Sequence, residues 1–471
     1  MHCTFRTVDG CSILRLDARK EVAALAEYPF VPKTNAKLVP GQFWAIPMSD
    51  GRFACGRVLR VDRDRDFGAR TMFVGALLDW VGAEPPTSES IAGAPVLAVG
   101  VAHIQVIADN KGTVLGERAL VLDGIDVPAE VTGYWGTGYP VARAERRFIE
   151  GDPPVVDEFR DVSSPLTDEM LRPAVAPTGV VQFRNLLSDE DFARLGEWFA
   201  QYPDMKLRAY RSYDDSIRDL EFLRHFPTLR RFQADALFVS LGSLDGLRHL
   251  PPELEELVIG ETERRLDLGV LSRFSGLKTL YLERQTKGIE VLSELRSLED
   301  LTLRSITLPD LSLLLPLQRL QSLDIKLGGT RDLGLLPRIG ELRYLELWLI
   351  KGLSDISAVG DIPTLRYLFL QALRQVDSLP DLAGAASLRR VHLETMKGLR
   401  DLRPLATAPA LEGVALIDMR HLVPADLQPL VGMPTLKAVS AGLGSHRKNV
   451  AAAKLLGLPS LSGPYDWRSG R

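Results

Sequence analysis

Residues 352–370, GLSDISAVGDIPTLRYLFL, contain the pattern that decides the fold of the second half of the chain. At the end of the stretch, Leu365, Leu368 and Leu370 form the motif L-x-x-L-x-L. The final L-x-L alternates with a period of two, which is the spacing that buries one face of a β-strand. From Ile356 onward an apolar residue occurs at every third position, and a period of three suits short 3-10 turns. The stretch therefore predicts one strand and one returning turn.

The same unit recurs along residues 229–441. Its first positions are Leu229, Leu254, Leu277, Leu298, Leu320, Leu342, Leu365, Leu388, Leu411 and Leu436. A unit of this size cannot bury its apolar face alone, whereas stacked units share a continuous core. The repeats therefore predict a solenoid over residues 178–471.

These units resemble leucine-rich repeats of the short, internalin-like class. That family usually carries Asn or Cys three residues after the last leucine of the strand, where the side chain satisfies backbone groups at the bend. Here the corresponding positions are Gln285, Ile306, Gly328, Ile350, Leu373, Met396 and Met419. The bends must therefore be satisfied in another way, which the sequence leaves open.

The two ends of the solenoid need covers. In residues 188–203, SDEDFARLGEWFAQYP, Ser188 suits a helix N-cap, and acidic residues fill the first turn. This pattern predicts an N-terminal helical cap, followed by a first strand over residues 205–210. Residues 447–458 predict a C-terminal helix. Residues 151–177 are rich in proline and acidic residues and have no periodicity, so we expect a linker.

Residues 1–150 predict a small β-rich domain, so the fold class is mainly β with α elements. The predicted strands are Phe43–Met48, Phe53–Val61, Thr71–Asp79, Val96–Ile107 and Arg118–Leu122. Asp50-Gly51 lies between the first two strands and predicts a hairpin closed by a primed turn. Residues 16–29 predict one helix that packs on the sheet.

The hairpin stretch, GQFWAIPMSDGRFACGRVL, resembles the start of the immunity protein 26 family. That family is a mostly β group encoded beside toxins in bacterial polymorphic toxin systems. The signature residues matched here are Gly41, Phe43, Ile46, Pro47, Gly51, Phe53 and Gly56. The resemblance covers roughly residues 30–140 and implies a bacterial protein that binds a toxin. The alternative is a generic small β-barrel with a well-marked hairpin.

Composition and charge narrow the function classes. The formal net charge of −4 gives no electrostatic reason to expect nucleic acid or an anionic membrane as a partner. Cys3, Cys11 and Cys55 include no C-x-x-C pair, so they indicate neither a disulfide framework nor a zinc site. No basic segment followed by an apolar run opens the chain, and we expect no signal peptide and a cytoplasmic location.

The sequence carries no catalytic or cofactor-binding motif. Asp62, Asp64 and Asp66 alternate as at the start of a calcium loop. However, Phe67 and Phe73 occupy the positions that require Gly and Glu, so we expect a solvated loop. We therefore expect no cofactor, no bound metal and no enzymatic activity.

The inner face of the solenoid offers a candidate binding surface. The third, fifth and seventh positions of L-x-x-L-x-L-x point away from the core, and equivalent positions on adjacent rungs lie about 5 Å apart. Tyr, Trp and Arg are enriched at protein-binding hot spots. The predicted patch consists of Tyr344, Trp348, Tyr367, Phe369, Arg390 and His392.

Neighbouring Asp324, Lys326 and Glu346 would form a polar rim around that patch. The alternative is that the rings only stack between rungs, with Tyr367 resting on Arg390 as a cation–π pair. The sequence leaves both interpretations open.

These observations favour a non-catalytic bacterial immunity protein that neutralises a cognate toxin by stoichiometric binding. The first alternative is a leucine-rich-repeat scaffold for an endogenous protein partner. The second is an enzyme whose site lies unrecognised in the β-rich domain. The sequence specifies neither the oligomeric state nor which domain holds the partner.

Overall fold

Two β-sheets organise the part of the chain that the structure describes. A computed structural model describes residues 27–61, 70–110, 112–127, 131, 134–149, 151, 158–174, 178–210, 217–235, 241–461, 465, 467 and 468. The chain divides into two units, Met1–Ile149 and Glu150–Arg471, and each sheet lies within one unit. The fold class of the described residues is therefore mainly β, as predicted.

The first unit contains a sheet that is antiparallel apart from one short edge pairing. Its strands are β1 (Gln42–Pro47), β2 (Phe53–Arg60), β3 (Met72–Gly82), β4 (Val96–His103), β5 (Thr113–Glu117) and β6 (Tyr134–Trp135). The α-helices are α1 (Gln105–Ala108) and α2 (Tyr139–Phe148), and 3-10 turns cover Asn35–Lys37 and Leu120–Asp123. The strand order is β5-β1-β2-β3-β4-β6, with β6 parallel to β4.

The predicted hairpin is confirmed, but its turn differs from the prediction. Strands β1 and β2 pair antiparallel, with Phe53 opposite Pro47. The Gly51 amide donates to the Met48 carbonyl, and the Met48 amide donates to the Arg52 carbonyl. A primed turn needs a positive φ at its first central residue, whereas here Gly51, the last loop residue, has φ of +85°. The loop is therefore a three-residue connection closed by a left-handed glycine.

Two strand predictions for this unit differ from the structure. Residues 105–107, the end of the strand predicted over Val96–Ile107, belong to helix α1. No strand forms over residues 118–122. Residues 118 and 119 follow strand β5, and residues 120–122 belong to the 3-10 turn Leu120–Asp123. The turn places the Asp123 carboxylate against the buried Arg57 side chain, a contact that the strand prediction did not include. The predicted helix over residues 16–29 and the alternating aspartates of residues 62–66 lie outside the described residues, except that residues 27–29 are not helical.

The second unit is a stack of parallel strands joined by short 3-10 turns. Its strands are β7 (Glu158–Val162), β8 (Gly179–Phe183), β9 (Met205–Ala209), β10 (Arg231–Ala234), β11 (Glu256–Ile259), β12 (Thr279–Glu283), β13 (Asp300–Arg304), β14 (Ser322–Lys326), β15 (Tyr344–Trp348), β16 (Tyr367–Gln371), β17 (Arg390–Glu394), β18 (Gly413–Ile417) and β19 (Ala438–Ala441). The 3-10 turns are Glu221–His225, Asp245–His249, Gly269–Arg273, Ile289–Glu294, Ser312–Leu314, Leu336–Arg338, Ser357–Asp361, Arg403–Thr407 and Pro424–Leu430. The α-helices are α3 (Asp189–Gln201) and α4 (His446–Leu456).

These strands follow one another in chain order across a single parallel sheet. The leucine of one rung lies beside the leucine of the next, as Leu323 lies beside Leu345 and Leu345 beside Leu368. All three side chains are fully buried in one continuous core. The leucine-rich repeat fold predicted from the sequence is confirmed in this respect.

The chain before the first predicted strand is more ordered than the sequence indicated. Residues 151–177 were expected to be a linker, and the first strand was expected at residues 205–210. Instead, β7 pairs in parallel with β8, and β8 pairs with β9. The buried Arg160 guanidinium donates to three backbone carbonyls, those of Met170, Arg172 and Pro173. The Trp198 ring also donates to the Arg172 carbonyl, so the irregular backbone of residues 170–173 is held by side-chain hydrogen bonds.

The two end helices agree closely with their predicted ranges. The Ser188 hydroxyl accepts a hydrogen bond from the Asp191 amide and caps α3. At the other end, the Ser445 hydroxyl accepts from the Lys448 amide and caps α4. Each cap satisfies one of the backbone donors that a helix N-terminus leaves free.

The bends use backbone conformation in place of the usual asparagine. Immediately after seven successive strands, one residue takes a left-handed conformation with φ between 48° and 60°, and none of them is glycine. These residues are Arg284, Ser305, Leu327, Leu349, Ala372, Thr395 and Asp418. In six of them the amide donates to a carbonyl of the next strand, as Leu349 does to Gln371 at 2.9 Å. Only the first bend uses an amide side chain: Gln285 Oε1 accepts from the Leu266 amide.

Several of the returning turns between strands share a second repeated device. An aspartate just before the turn accepts a hydrogen bond from an amide two residues later, as Asp355 does from Ser357 and Asp381 from Ala383. These backbone hydrogen bonds lower the pKa of both carboxyl groups. The same bond is made by Asp219, Asp267, Asp310, Asp332 and Asp401.

Replacing Leu301 or Leu345 with alanine should lower the free energy of unfolding by about 2–5 kcal/mol, because each change opens a cavity between rungs. Both side chains are fully buried. Urea unfolding of each variant measures the loss. The exposed-site control Glu290→Ala should stay within about 0.5 kcal/mol of the wild type. Equal losses in the core and control variants would contradict the packing described here.

Acid should destabilise the solenoid through its capping aspartates. A carboxyl group whose pKa is lower in the folded chain stabilises the fold above its ordinary pKa of about 3.9, and this contribution disappears as the pH falls through that value and below. Asp355→Asn combined with Asp381→Asn retains an accepting oxygen without the titration. Urea unfolding from about pH 7 to about pH 3 should therefore show a shallower acid loss in the double variant. Parallel curves would exclude a contribution from these caps.

Candidate functional site

The side chains on one face of the parallel sheet point away from the leucine core, and we call this the open face. Tyr344, Tyr367 and Arg390 occupy equivalent positions on strands β15, β16 and β17. Phe369 and His392 form the next row. The strand register therefore brings the predicted aromatic residues onto three adjacent rungs.

The aromatic patch, defined as Tyr344, Trp348, Tyr367, Phe369, Arg390 and His392, is half-buried. The Tyr344 and Tyr367 rings meet edge to face with centroids 5.3 Å apart. The Phe369 and His392 rings lie 4.1 Å apart. Burial lowers the pKa of His392, although nearby Glu394 opposes this shift. Near pH 7 this imidazole is therefore predominantly neutral and adds ring surface rather than positive charge.

Trp348 lies at the side of the patch, in the row beyond Phe369. Its rung neighbour on β16 is Gln371, and the guanidinium carbon of Arg304 lies 5.4 Å from the centre of its ring. Arg304 also forms an ion pair with Glu283 at 3.0 Å. A cation–π contact of this kind holds one face of the indole in place.

Arg390 makes a different contact from the one considered in the sequence. Its guanidinium carbon lies 5.1 Å from the ring centre of Tyr465, in the C-terminal tail, and Arg390 is not stacked on Tyr367. The Tyr465 ring also meets Tyr367 edge to face at 6.0 Å. The rung-to-rung cation–π pair is thus replaced by a pair with the tail.

The residues predicted to form a polar rim instead bind one another. Lys326 Nζ lies 3.1 Å from Asp324 Oδ1 and 2.9 Å from Glu346 Oε2. The Tyr344 hydroxyl donates to Glu346 at 3.0 Å, and Glu346 is buried. Burial raises the pKa of Asp324 to about 7, and its hydrogen bond with Glu346 acts in the same direction. These groups lie beside the patch on the same face and are paired with one another.

Sequence reasoning did not find the tail residues that contact the patch. The Trp467 ring lies 5.7 Å from Tyr344, next to the Tyr465 contacts. Both tail aromatics follow the left-handed Gly457 that ends helix α4. Two aromatic residues within a short, otherwise polar terminal stretch were the available signal, but no periodicity assigns such residues to a surface.

The signature residues of the first unit have structural roles. Gly41 has φ of +96°, and a Cβ atom there would meet the Arg118 carbonyl oxygen at 2.8 Å. A Cβ atom on Gly56 would lie 2.1 Å from the ring of the fully buried Trp44. Phe43 and Ile46 are buried, and Gly51 closes the hairpin loop. The motif that carries the family resemblance therefore encodes the sheet and not an exposed contact surface.

A buried charge cluster on the face of that sheet away from Trp44 was not predicted. The Asp123 carboxylate accepts hydrogen bonds from Arg57, Arg118 and the Gly93 amide, at 2.9, 2.9 and 3.0 Å. Burial alone would raise the pKa of Asp123, but these three donors lower it overall. A carboxylate held in its charged form by three donors is a poor general base, so the cluster is better explained as a structural link between strand β2 and the 3-10 turn Leu120–Asp123.

Other candidate groups are buried or lack partners for chemistry. Cys55 is fully buried, and burial raises the pKa of its thiol well above the ordinary range. Within the described ranges, no cluster of three His, Cys, Asp or Glu side chains could hold a metal ion. No described helix is long and apolar enough to cross a membrane.

Comparison with known proteins gives low similarity throughout. No known protein-family profile matches the chain, and no curated protein matches it. An internalin from Listeria monocytogenes is similar at 17% identity and a TM-score of 0.40, over 64% of this chain and 94% of the internalin. An internalin C2 from the same organism has 18% identity and a TM-score of 0.28, over 54% and 83% of the two chains. A leucine-rich-repeat protein from Leptospira interrogans has 15% identity and a TM-score of 0.33, over 64% and 95%.

Since these TM-scores are low, the fold assignment rests on the strand and turn pattern of the chain itself.

Gly56→Ala should destabilise the first unit by about 1–3 kcal/mol, because the new methyl group overlaps the Trp44 ring and the core must shift. Gly138→Ala is the matched control, since Gly138 has φ of −85° and no atom lies within 4 Å of its added Cβ. Thermal unfolding followed by Trp fluorescence compares the two. A neutral Gly56→Ala together with a neutral control would remove the packing role assigned to this glycine.

Proposed function

We propose that the chain is a non-catalytic binding protein that recognises a protein partner through the aromatic patch on its open face. One observation carries this proposal: two tyrosines, a tryptophan, a phenylalanine, an arginine and a histidine are half-buried together on three adjacent rungs. Aromatic residues and arginine in a partly desolvated cluster are the usual composition of binding hot spots.

Neighbouring residues hold side chains of the patch in one orientation before a partner binds. The Tyr344 hydroxyl is held by Glu346, and one face of Trp348 is held by Arg304. Side chains that are already fixed lose little conformational entropy when a partner binds. Beside the patch, Lys326 is paired with Asp324 and Glu346, so these charges already have partners when a ligand binds.

We further propose that the partner is a cognate toxin and that the chain acts as a bacterial immunity protein. The support is the resemblance of residues 30–140 to the immunity protein 26 family. Binding alone can neutralise a toxin, so the proposal requires no catalytic group. A cytoplasmic location remains part of this proposal.

Trp348→Ala and Tyr367→Ala should each weaken binding of the native partner by about 2 kcal/mol or more, roughly thirtyfold. Titration calorimetry with the partner recovered by pull-down measures the affinity, and urea unfolding checks the fold. Trp348 is the cleaner probe, because none of its described contacts involves the tail. Tyr281→Ala is the matched control: it removes a tyrosine from the same face, three rungs from Tyr344, where its hydroxyl donates to Glu283.

Weakened binding with unchanged stability supports the patch. Unchanged binding with lowered stability means that the rings only stack between rungs, and the partner site would then lie elsewhere. The toxin proposal has a separate test: co-expression with the product of the adjacent gene should rescue growth, and Trp348→Ala should reduce the rescue. Absence of a toxic neighbour, with an endogenous partner recovered instead, would favour the scaffold alternative.

A further inference from the structure

The described residues of the C-terminal tail, 457–461, 465, 467 and 468, return to the open face after helix α4. The first part of the tail runs along the last strand, where the Val439 amide donates to the Pro459 carbonyl at 2.9 Å. The Leu461 amide donates to the Ser440 hydroxyl at 3.0 Å. These two bonds anchor the start of the tail beside strand β19.

The described residues beyond this anchor lie on the aromatic patch. Tyr465 contacts Tyr367 and Arg390, on strands β16 and β17. Trp467 contacts Tyr344, on strand β15. The tail contacts thus progress from rung to rung, and they involve three of the six patch residues that the proposed function assigns to a partner.

Backbone and charge contacts accompany the rings. Arg366 Nη1 donates to the Trp467 carbonyl at 3.2 Å and to the Arg468 carbonyl at 3.1 Å. The Arg468 guanidinium forms an ion pair with Asp300, on strand β13. The open face therefore contacts two rings of the tail, two of its backbone carbonyls and one positive charge.

The described tail residues form no regular strand, since Trp467 and Arg468 lie in a turn. Two residues separated by one can still lie up to about 6.6 Å apart, while adjacent rungs are about 4.8 Å apart. Two aromatic residues separated by one residue can therefore reach neighbouring rungs of the patch. A basic residue directly after them can reach the acidic side chain beyond.

The tail does not fill the site perfectly. The Tyr465 hydroxyl is buried and makes no hydrogen bond with the described residues. A buried polar group without a partner costs binding free energy. A ligand with phenylalanine at this position, or with a hydroxyl that finds a partner, would fit better.

We propose that the aromatic patch is a docking site for a protein segment of the form aromatic-x-aromatic-basic, and that the chain's own tail occupies this site in cis. This inference rests on the proposed function and specifies the chemistry of its ligand. The tail acts at a high effective concentration because it is covalently attached. A partner segment must displace it, so the apparent affinity of the partner falls by the fraction of time that the site is open.

The test uses the full chain and a synthetic peptide of residues 462–471, SGPYDWRSGR. The full-length variant Tyr465→Ala/Trp467→Ala should bind this peptide saturably. The wild-type chain should bind it about tenfold more weakly if its tail fills the site nine-tenths of the time. A peptide with both aromatics replaced by alanine should not bind, and a peptide with Phe at position 465 should bind more tightly than the wild-type peptide.

Two further variants identify the site in the open-tail background. Adding Tyr344→Ala and Tyr367→Ala should abolish peptide binding, whereas adding Tyr281→Ala should leave it unchanged. Circular dichroism confirms that each variant is folded. Equal binding of the peptide to wild type and open-tail variant, or no binding to either, would overturn the proposal.

The peptide titration involves no toxin or other partner, so its failure is distinguishable from failure of the proposed function. Peptide binding without partner binding at the patch would leave the docking site standing and remove the proposed function. Partner binding at the patch without any peptide binding would support the proposed function and remove the docking site proposed for the tail.

Discussion

The in-register stacking of parallel strands is the constraint on which the rest of the second unit depends. Because each leucine lies beside the leucine of the next rung, equivalent positions on the open face are fixed one strand spacing apart. That spacing brings Tyr344, Tyr367 and Arg390 into one row. It also places Asp324 beside Glu346, so that one lysine pairs with both carboxylates. The patch and the paired charges beside it are thus consequences of the repeat register.

The sequence predicted what depends on periodicity and missed what depends on single long-range contacts. The leucine spacing was sufficient to predict the strands from β10 to β19, their core and the rows of the open face. It could not show that a left-handed residue follows seven of the strands, because Leu349 and Ala372 carry no local signal for that conformation. Nor could it show that Arg160 orders an irregular stretch, since its acceptors are backbone carbonyls 10 to 13 residues away.

The first unit illustrates the same limit in a sheet that is not repetitive. The β1–β2 hairpin was readable because its strands are adjacent in sequence. The role of Gly56 was not readable, since a side chain there would overlap the Trp44 ring on the paired strand. The Arg57–Asp123 pair joins residues 66 positions apart. A family signature built from such residues identifies a fold, so the case for a toxin partner depends on the patch and on genetic context together.

The central claim is that a protein partner binds the aromatic patch, and covalent footprinting of aromatic side chains tests it most directly. The full chain would be labelled with and without its native partner, and each modified tryptophan, tyrosine and histidine quantified by mass spectrometry. The account predicts that the partner protects Trp348 and His392 while Tyr281 stays as reactive as in the free chain. Protection confined to the first unit, for example at Trp80, with Trp348 and His392 unchanged, would contradict it.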